Sequence, residues 1–99
     1  MAILVHNING TSDNSCICGS WLKHWENFSG KKAGLCAEVS CQNKAEVGAH
    51  VQKEKSNTSK WYIIPLCSKH NNAKGQDIYV MDGTIFVSAN TKETCSKYF

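Results

Sequence analysis

Two close pairs of soft metal donors constrain this chain more than any other feature. Four residues separate Cys36 from Cys41, two separate Cys67 from His70, and 25 lie between the pairs. A tetrahedral ion such as zinc takes four Cys or His donors, usually as two such pairs from separate segments. If both pairs close on one ion, the fold must bring 36–41 beside 67–70. The 99 residues, 41% of them hydrophobic, suffice for one domain, 1–99, near the size at which a core alone gives modest stability. An added staple is therefore useful.

Six cysteines and four histidines leave open whether that staple is a metal or a set of disulfides. The first stretch, "MAILVHNINGTSDNSC", has no basic leader and no small-residue cleavage signal, so it does not read as a secretory peptide. No segment approaches the length of a membrane span. We therefore expect an intracellular, cytoplasmic setting, where unpaired cysteines serve metals or catalysis. The alternative, a secreted disulfide-stapled domain, predicts neither free thiols nor metal. A formal charge of +3 and a pI near 8.5 permit contact with nucleic acid without demanding it. Lys53, Lys55 and Lys60, interleaved with Ser and Thr, read as a solvated loop or as phosphate contacts.

Along the chain, "AILVHNINGTSDN" reads as a short strand ending in an Asn-Gly turn. "CGSWLKHWENFSG" sets Trp21, Leu22, Trp25 and Phe28 at helical spacing, with Ser20 as N-cap and Gly30 as stop, which predicts an amphipathic helix with an aromatic core face. Turn signals around Cys36 and Cys41 predict a hairpin or knuckle, then a strand through Val47 and Val51. "WYIIPLC" is a β-rich run that Pro65 restricts to an edge or a strand end. "SKHNNAK" opens a helix that Gly75 keeps short. "QDIYVMDGTIFVSAN" carries two apolar runs around Asp82-Gly83, which predicts a C-terminal β-hairpin with a primed turn.

Cys67-x2-His70 falls at a strand-to-helix junction, where the helix N-terminus favours an anionic thiolate. A knuckle pair plus a pair at a helix start is the layout of a treble-clef zinc finger, with Cys36, Cys41, Cys67 and His70 as ligands. A Cys67/His70 nucleophile pair is the weaker reading, because nothing near it in sequence supplies an orienting carboxylate or oxyanion donors. Cys16, Cys18 and Cys95 remain, and with His24 they form a candidate second zinc site. Its alternative is a set of structural thiols or partial disulfides, with His24 facing solvent.

The segment from Cys36 to Lys74 resembles the HNH, or ββα-metal, endonuclease family. "CAEVSCQNKAEVGAHV" is similar to its zinc-stapled form, where a C-x4-C knuckle precedes the strand with the first motif histidine, and "PLCSKHNNAK" is similar to its second zinc pair. The resemblance covers about 40 residues, within a core spanning about 34–76. It implies structural zinc at Cys36, Cys41, Cys67 and His70, His50 as the general base that activates water, and Asn71 near a catalytic Mg2+ or Mn2+. A neutral imidazole would take the proton from water while the hard cation offsets charge on a phosphodiester.

The chain departs from the family pattern in ways that bear on activity. Ala49 stands where many members carry an aspartate, and Trp61, Tyr62 and two isoleucines surround the middle Asn position, with Asn57 the nearest candidate. Magnesium prefers one or two carboxylates among its ligands. Only Asp77 or Asp82, brought in by the fold, would supply one. His50 also has a structural reading, as a histidine hydrogen-bonded within an apolar strand.

We therefore expect an α+β domain, a small treble-clef zinc finger with an HNH-like ββα core, an N-terminal amphipathic helix and a C-terminal β-hairpin. Its expected role is to act on DNA or RNA, as a metal-dependent endonuclease with His50 as base. The alternative is a non-catalytic zinc module that meets a protein or nucleic-acid partner, through the Trp21/Trp25 helix face or the "DIYVMDGTIFV" edge.

Overall fold

A computed structural model of the chain describes residues 2–8, 20–53, 61–71 and 77–89. Five strands form one antiparallel sheet: β1 (Ile3–Asn7), β2 (Val47–Lys53), β3 (Tyr62–Leu66), β4 (Asp77–Val80) and β5 (Val87–Ser88). Their order across the sheet is β4-β1-β2-β3-β5. Among the described residues two helices, α1 (Trp21–Ser29) and α2 (Ser68–Asn71), complete an α+β architecture.

Side chains alternate between the two sides of each strand, and here both sides of the sheet's centre are covered. On one side Val5, Ala49, Val51, Ile64, Leu66 and Val80 pack together with Cys36 and Cys67. On the other, Ile63 and Val87 meet Trp25, flanked by Trp21 and Phe28 of α1. The amphipathic reading of α1 is borne out, as are its ends. Ser20 Oγ accepts from the Lys23 N–H at 3.0 Å, and Gly30 closes the helix at a φ of 75°, a left-handed conformation suited to glycine.

β2 passes so close beneath α1 that a Cβ on Gly48 would fall 2.5 Å from the Leu22 nitrogen and 2.6 Å from the Trp21 carbonyl oxygen. Glycine is thus what allows helix and sheet to touch. His24 is fully buried there, its Nε2 2.9 Å from the Ser88 carbonyl oxygen, and Trp25 Nε1 donates to the Ile85 carbonyl at 2.8 Å. The expectation of a solvent-facing His24 is corrected: on an aromatic helix face the imidazole caps an outward carbonyl of the edge strand β5.

The C-terminal segment departs furthest from expectation. β4 pairs with β1 and β5 with β3, so the two apolar runs lie at opposite ends of the strand order and do not form a hairpin. A turn does form, with the Thr84 N–H donating to the Met81 carbonyl at 3.0 Å. Neither Asp82 nor Gly83 has a positive φ, so the turn is not primed and lacks the twist that keeps two strands paired.

The knuckle joins what the strand order separates. Leu35 bridges Lys44, and the Cys36 N–H donates to the Asn43 carbonyl. Ala37 then donates its N–H to the Pro65 carbonyl of β3 and accepts from the Met81 N–H just past β4, both at 2.9 Å, while the Val39 N–H donates to the Tyr79 carbonyl at 3.1 Å. The sheet is therefore rolled, with residues 37–39 bridging β3 to β4. The expectation for Pro65 holds in this form: β5 covers only Tyr62 and Ile63, and among the described residues no further strand lies beside the part of β3 that holds the proline.

Candidate metal centre

Four side chains converge where the knuckle meets the end of β3. Cys36 and Cys41 come from the knuckle, Cys67 from the residue after β3, and His70 from α2. Their ligand atoms all lie within 4.8 Å of one another. His70 Nδ1 is 3.2 Å from Cys67 Sγ and 3.6 Å from Cys36 Sγ, and Cys41 Sγ is 3.8 Å from Cys67 Sγ. A zinc ion with ordinary bond lengths spans tetrahedral edges of about 3.8 Å between sulfurs and about 3.6 Å between sulfur and nitrogen. The spacing thus fits one mononuclear ion such as zinc, and Cys36, Cys41, Cys67 and His70 are a Cys3His cluster that could hold it. Cys36, Cys41 and Cys67 are free thiols, which goes against a disulfide staple among the described residues.

The electrostatics of the thiols differ. Burial lifts Cys36 to a pKa of about 11, although backbone N–H groups of Cys67 and Glu38 point at its sulfur and work the other way. Burial also pushes Cys67 up, but the backbone N–H and imidazole of His70, with the thiols of Cys41 and Cys36, outweigh it and bring the pKa down to about 6. One thiol is thus readily a thiolate near neutral pH, whereas another would have to lose its proton on binding an ion.

Two supporting residues gave no signal in the sequence. Asn7, 1% exposed at the end of β1, donates from Nδ2 to the carbonyls of His70 at 3.0 Å and Asn71 at 3.1 Å, and so fixes the end of α2. Only its place two residues after Val5, on the core side of the strand, distinguishes it from a loop asparagine. Glu38 lies behind the imidazole, its Oε2 3.7 Å from His70 Nε2. The Ser40 hydroxyl holds that carboxyl below the usual carboxylate range.

His50 and Asn71 are not brought together. His50 alternates with Ala49 and Val51 of the main core, so its ring points the other way, edge-on to Trp21 at 4.6 Å and to Trp61 at 6.0 Å. Asn71 is held from the core side by Asn7. Asp77 lies two strands from β2 and contacts His6 Nδ1 at 2.8 Å, and Asp82 sits in the 81–84 turn. Asp77 is thus engaged by β1, and not beside Ala49 of β2. Of the candidate second site, Cys16, Cys18 and Cys95 lie outside the described residues, as do Asn57, Lys55, Lys60 and Gly75. His24 commits Nε2 to Ser88, so a site built on it would use Nδ1.

Among the described residues no helix is long and apolar enough to cross a membrane. No protein family, curated protein or solved structure matches the chain.

Proposed function

We propose that this chain is a zinc-stapled, non-catalytic binding module whose ion locks the knuckle to β3 and α2. The carrying observation is the convergence of Cys36, Cys41, Cys67 and His70 within 4.8 Å at the place where the sheet closes. The succession of knuckle, β2, β3 and α2 supports a treble-clef arrangement like that of the HNH domains. The orientation of His50 toward α1, away from the end of α2, weighs against a nuclease.

A protein partner is the better fit to the exposed surface. Leu35 and Tyr79 are 57% and 56% exposed, and Val39 and Met81 flank them on the knuckle and after β4. Leu35 and Met81 also border an apolar groove with Trp25, Pro65 and Ile85. Clustered apolar surface of this kind marks interaction sites. The aromatic helix face proposed from sequence is less suited, because Trp25 is only 6% exposed and its N–H is already bonded.

Purified protein should contain zinc, and chelation should weaken its near-ultraviolet tryptophan signal and lower its unfolding midpoint. One equivalent per chain is expected from this cluster, and a second would point to Cys16, Cys18, His24 and Cys95. Metal-free protein as stable as the zinc-loaded form would defeat the proposal. The nuclease reading returns if zinc-loaded protein nicks plasmid with Mg2+ or Mn2+ and His50→Ala, still folded, does not. Salt-sensitive binding to DNA or RNA would replace the protein partner with a nucleic acid.

A further inference from the structure

We infer that Glu38 is a positioning residue of the metal centre, holding His70 in the tautomer that presents Nδ1 to the ion. The inference rests on the zinc reading above and adds to it a residue outside the ligand set.

An imidazole can bind a metal through one nitrogen only if the proton sits on the other. In this cluster Nδ1 is the atom among the sulfurs, at 3.2 Å from Cys67 and 3.6 Å from Cys36. The proton must then be on Nε2. A free neutral imidazole has no strong reason to keep it there, and a carboxylate facing that nitrogen supplies one.

Glu38 Oε2 is 3.7 Å from Nε2, too close to seat a water between them, and a side-chain shift of under about 1 Å brings the two into direct hydrogen-bond contact. In that contact the carboxylate accepts the Nε2 proton and penalises the other tautomer. The carboxylate is itself fixed: Ser40 donates to it from both its backbone N–H and its hydroxyl, the latter at 2.6 Å to Oε1 and 3.0 Å to Oε2. Its backbone is tied down by the bridge to Val80, and its N–H points at Cys36 Sγ. Glu38 therefore links the knuckle pair to the helix pair: its main chain serves one ligand and its side chain another. A carboxylate behind a ligating imidazole raises the basicity of the ring and orients it, and loss of such a partner commonly costs roughly 10–100-fold in metal affinity.

The test compares wild type with Glu38→Gln, Glu38→Ala and Ser40→Ala, all loaded with zinc. Affinity is read by competition with a chromogenic chelator, and the protonation pattern of His70 by its imidazole 15N shifts. We expect Glu38→Ala to bind zinc roughly 10–100-fold more weakly, with the Nε2–H resonance of His70 exchanging faster or lost. Glu38→Gln, which keeps an acceptor oxygen, should recover part of the affinity, and Ser40→Ala should fall between wild type and Glu38→Ala. A merely structural role for Glu38 would lower stability yet leave the imidazole shifts unmoved. If Glu38→Ala does not fold, Glu38→Gln and Ser40→Ala decide the matter on the same two readouts. Affinities within twofold of wild type and unchanged imidazole shifts in the folded variants overturn the inference. Failure of the wild type to bind zinc would instead overturn the metal reading on which it stands.

Discussion

Replacing Gly48 with alanine should test the contact between α1 and the sheet. The added methyl would fall 2.5 Å from the Leu22 nitrogen and 2.6 Å from the Trp21 oxygen, with the Trp21 carbonyl carbon also in its way. All three are main-chain atoms, so no side chain can swing aside. To restore van der Waals contact, helix or strand must retreat by about 0.9 Å, and inserting a methyl group into packed structure in this way costs about 1–3 kcal/mol. If α1 gives way, the Trp25–Ile85 and His24–Ser88 hydrogen bonds, now 2.8 and 2.9 Å, stretch beyond useful length. Two such bonds are together worth about 1–3 kcal/mol, so either route leads to a loss of about 1–3 kcal/mol. For a domain of this size that lowers Tm by roughly 4–24 °C. Urea titration of zinc-saturated protein, followed by tryptophan fluorescence, would show the loss as a fall in midpoint at constant slope. Gly34→Ala is the control: no atom lies within 4 Å of its Cβ position, and stability should stay level or rise by about 0.4–1 kcal/mol. A Gly48→Ala protein within 0.5 kcal/mol of wild type would refute the close approach of α1 and β2.

Asn7→Ala should destabilise the zinc-loaded protein by about 1–3 kcal/mol in the same titration, because two carbonyls at the end of α2 lose their donor. Gly83→Ala should be neutral or slightly stabilising by calorimetry, since its φ is not positive and nothing crowds its Cβ position, whereas a primed turn would lose more than about 1 kcal/mol. The stability of metal-free protein that retains its fold should depend on pH through the thiols. Cys67, with a folded pKa of about 6 against an ordinary 9.0, is ionised when folded and protonated when unfolded between those values, so stability rises with pH across that window and is lost as pH falls through 6. Cys36, raised from 9.0 to about 11, is protonated when folded and ionised when unfolded between 9 and 11, so stability falls there. Denaturant midpoints under reducing conditions should therefore peak near pH 9, and a flat profile would contradict the thiol environments.

Features set by neighbouring residues were readable from the sequence. Ser20 and Gly30 frame α1 because capping depends on a few adjacent atoms, and the aromatic spacing of Trp21, Trp25 and Phe28 follows from helix period alone. The four candidate metal donors were legible because a small tetrahedral ion would impose spacing within each pair. Partner choice between distant strands was not. Asp82-Gly83 between apolar runs is a sound local hairpin signal, but β1 and β3 offered their open sides to β4 and β5 separately, and the turn followed that tertiary preference. Glu38 and Asn7 were invisible for a related reason. Their roles depend on facing His70 and its neighbour across 32 and 63 residues of chain, which no local pattern encodes.

The double engagement of Ala37 gives the molecule a latch. Its amide reaches one side of the cylinder and its carbonyl the other, and Cys36 beside it is fastened to the ligand cluster. In the proposed zinc-bound form, withdrawal of the ion would free that latch before it disturbed the β1-β2-β3 ladders, which are independent of it. Amide protons of Ala37, Val39 and Met81 would then trade with solvent deuterium early, while those of Val51 and Ile64 waited for global opening.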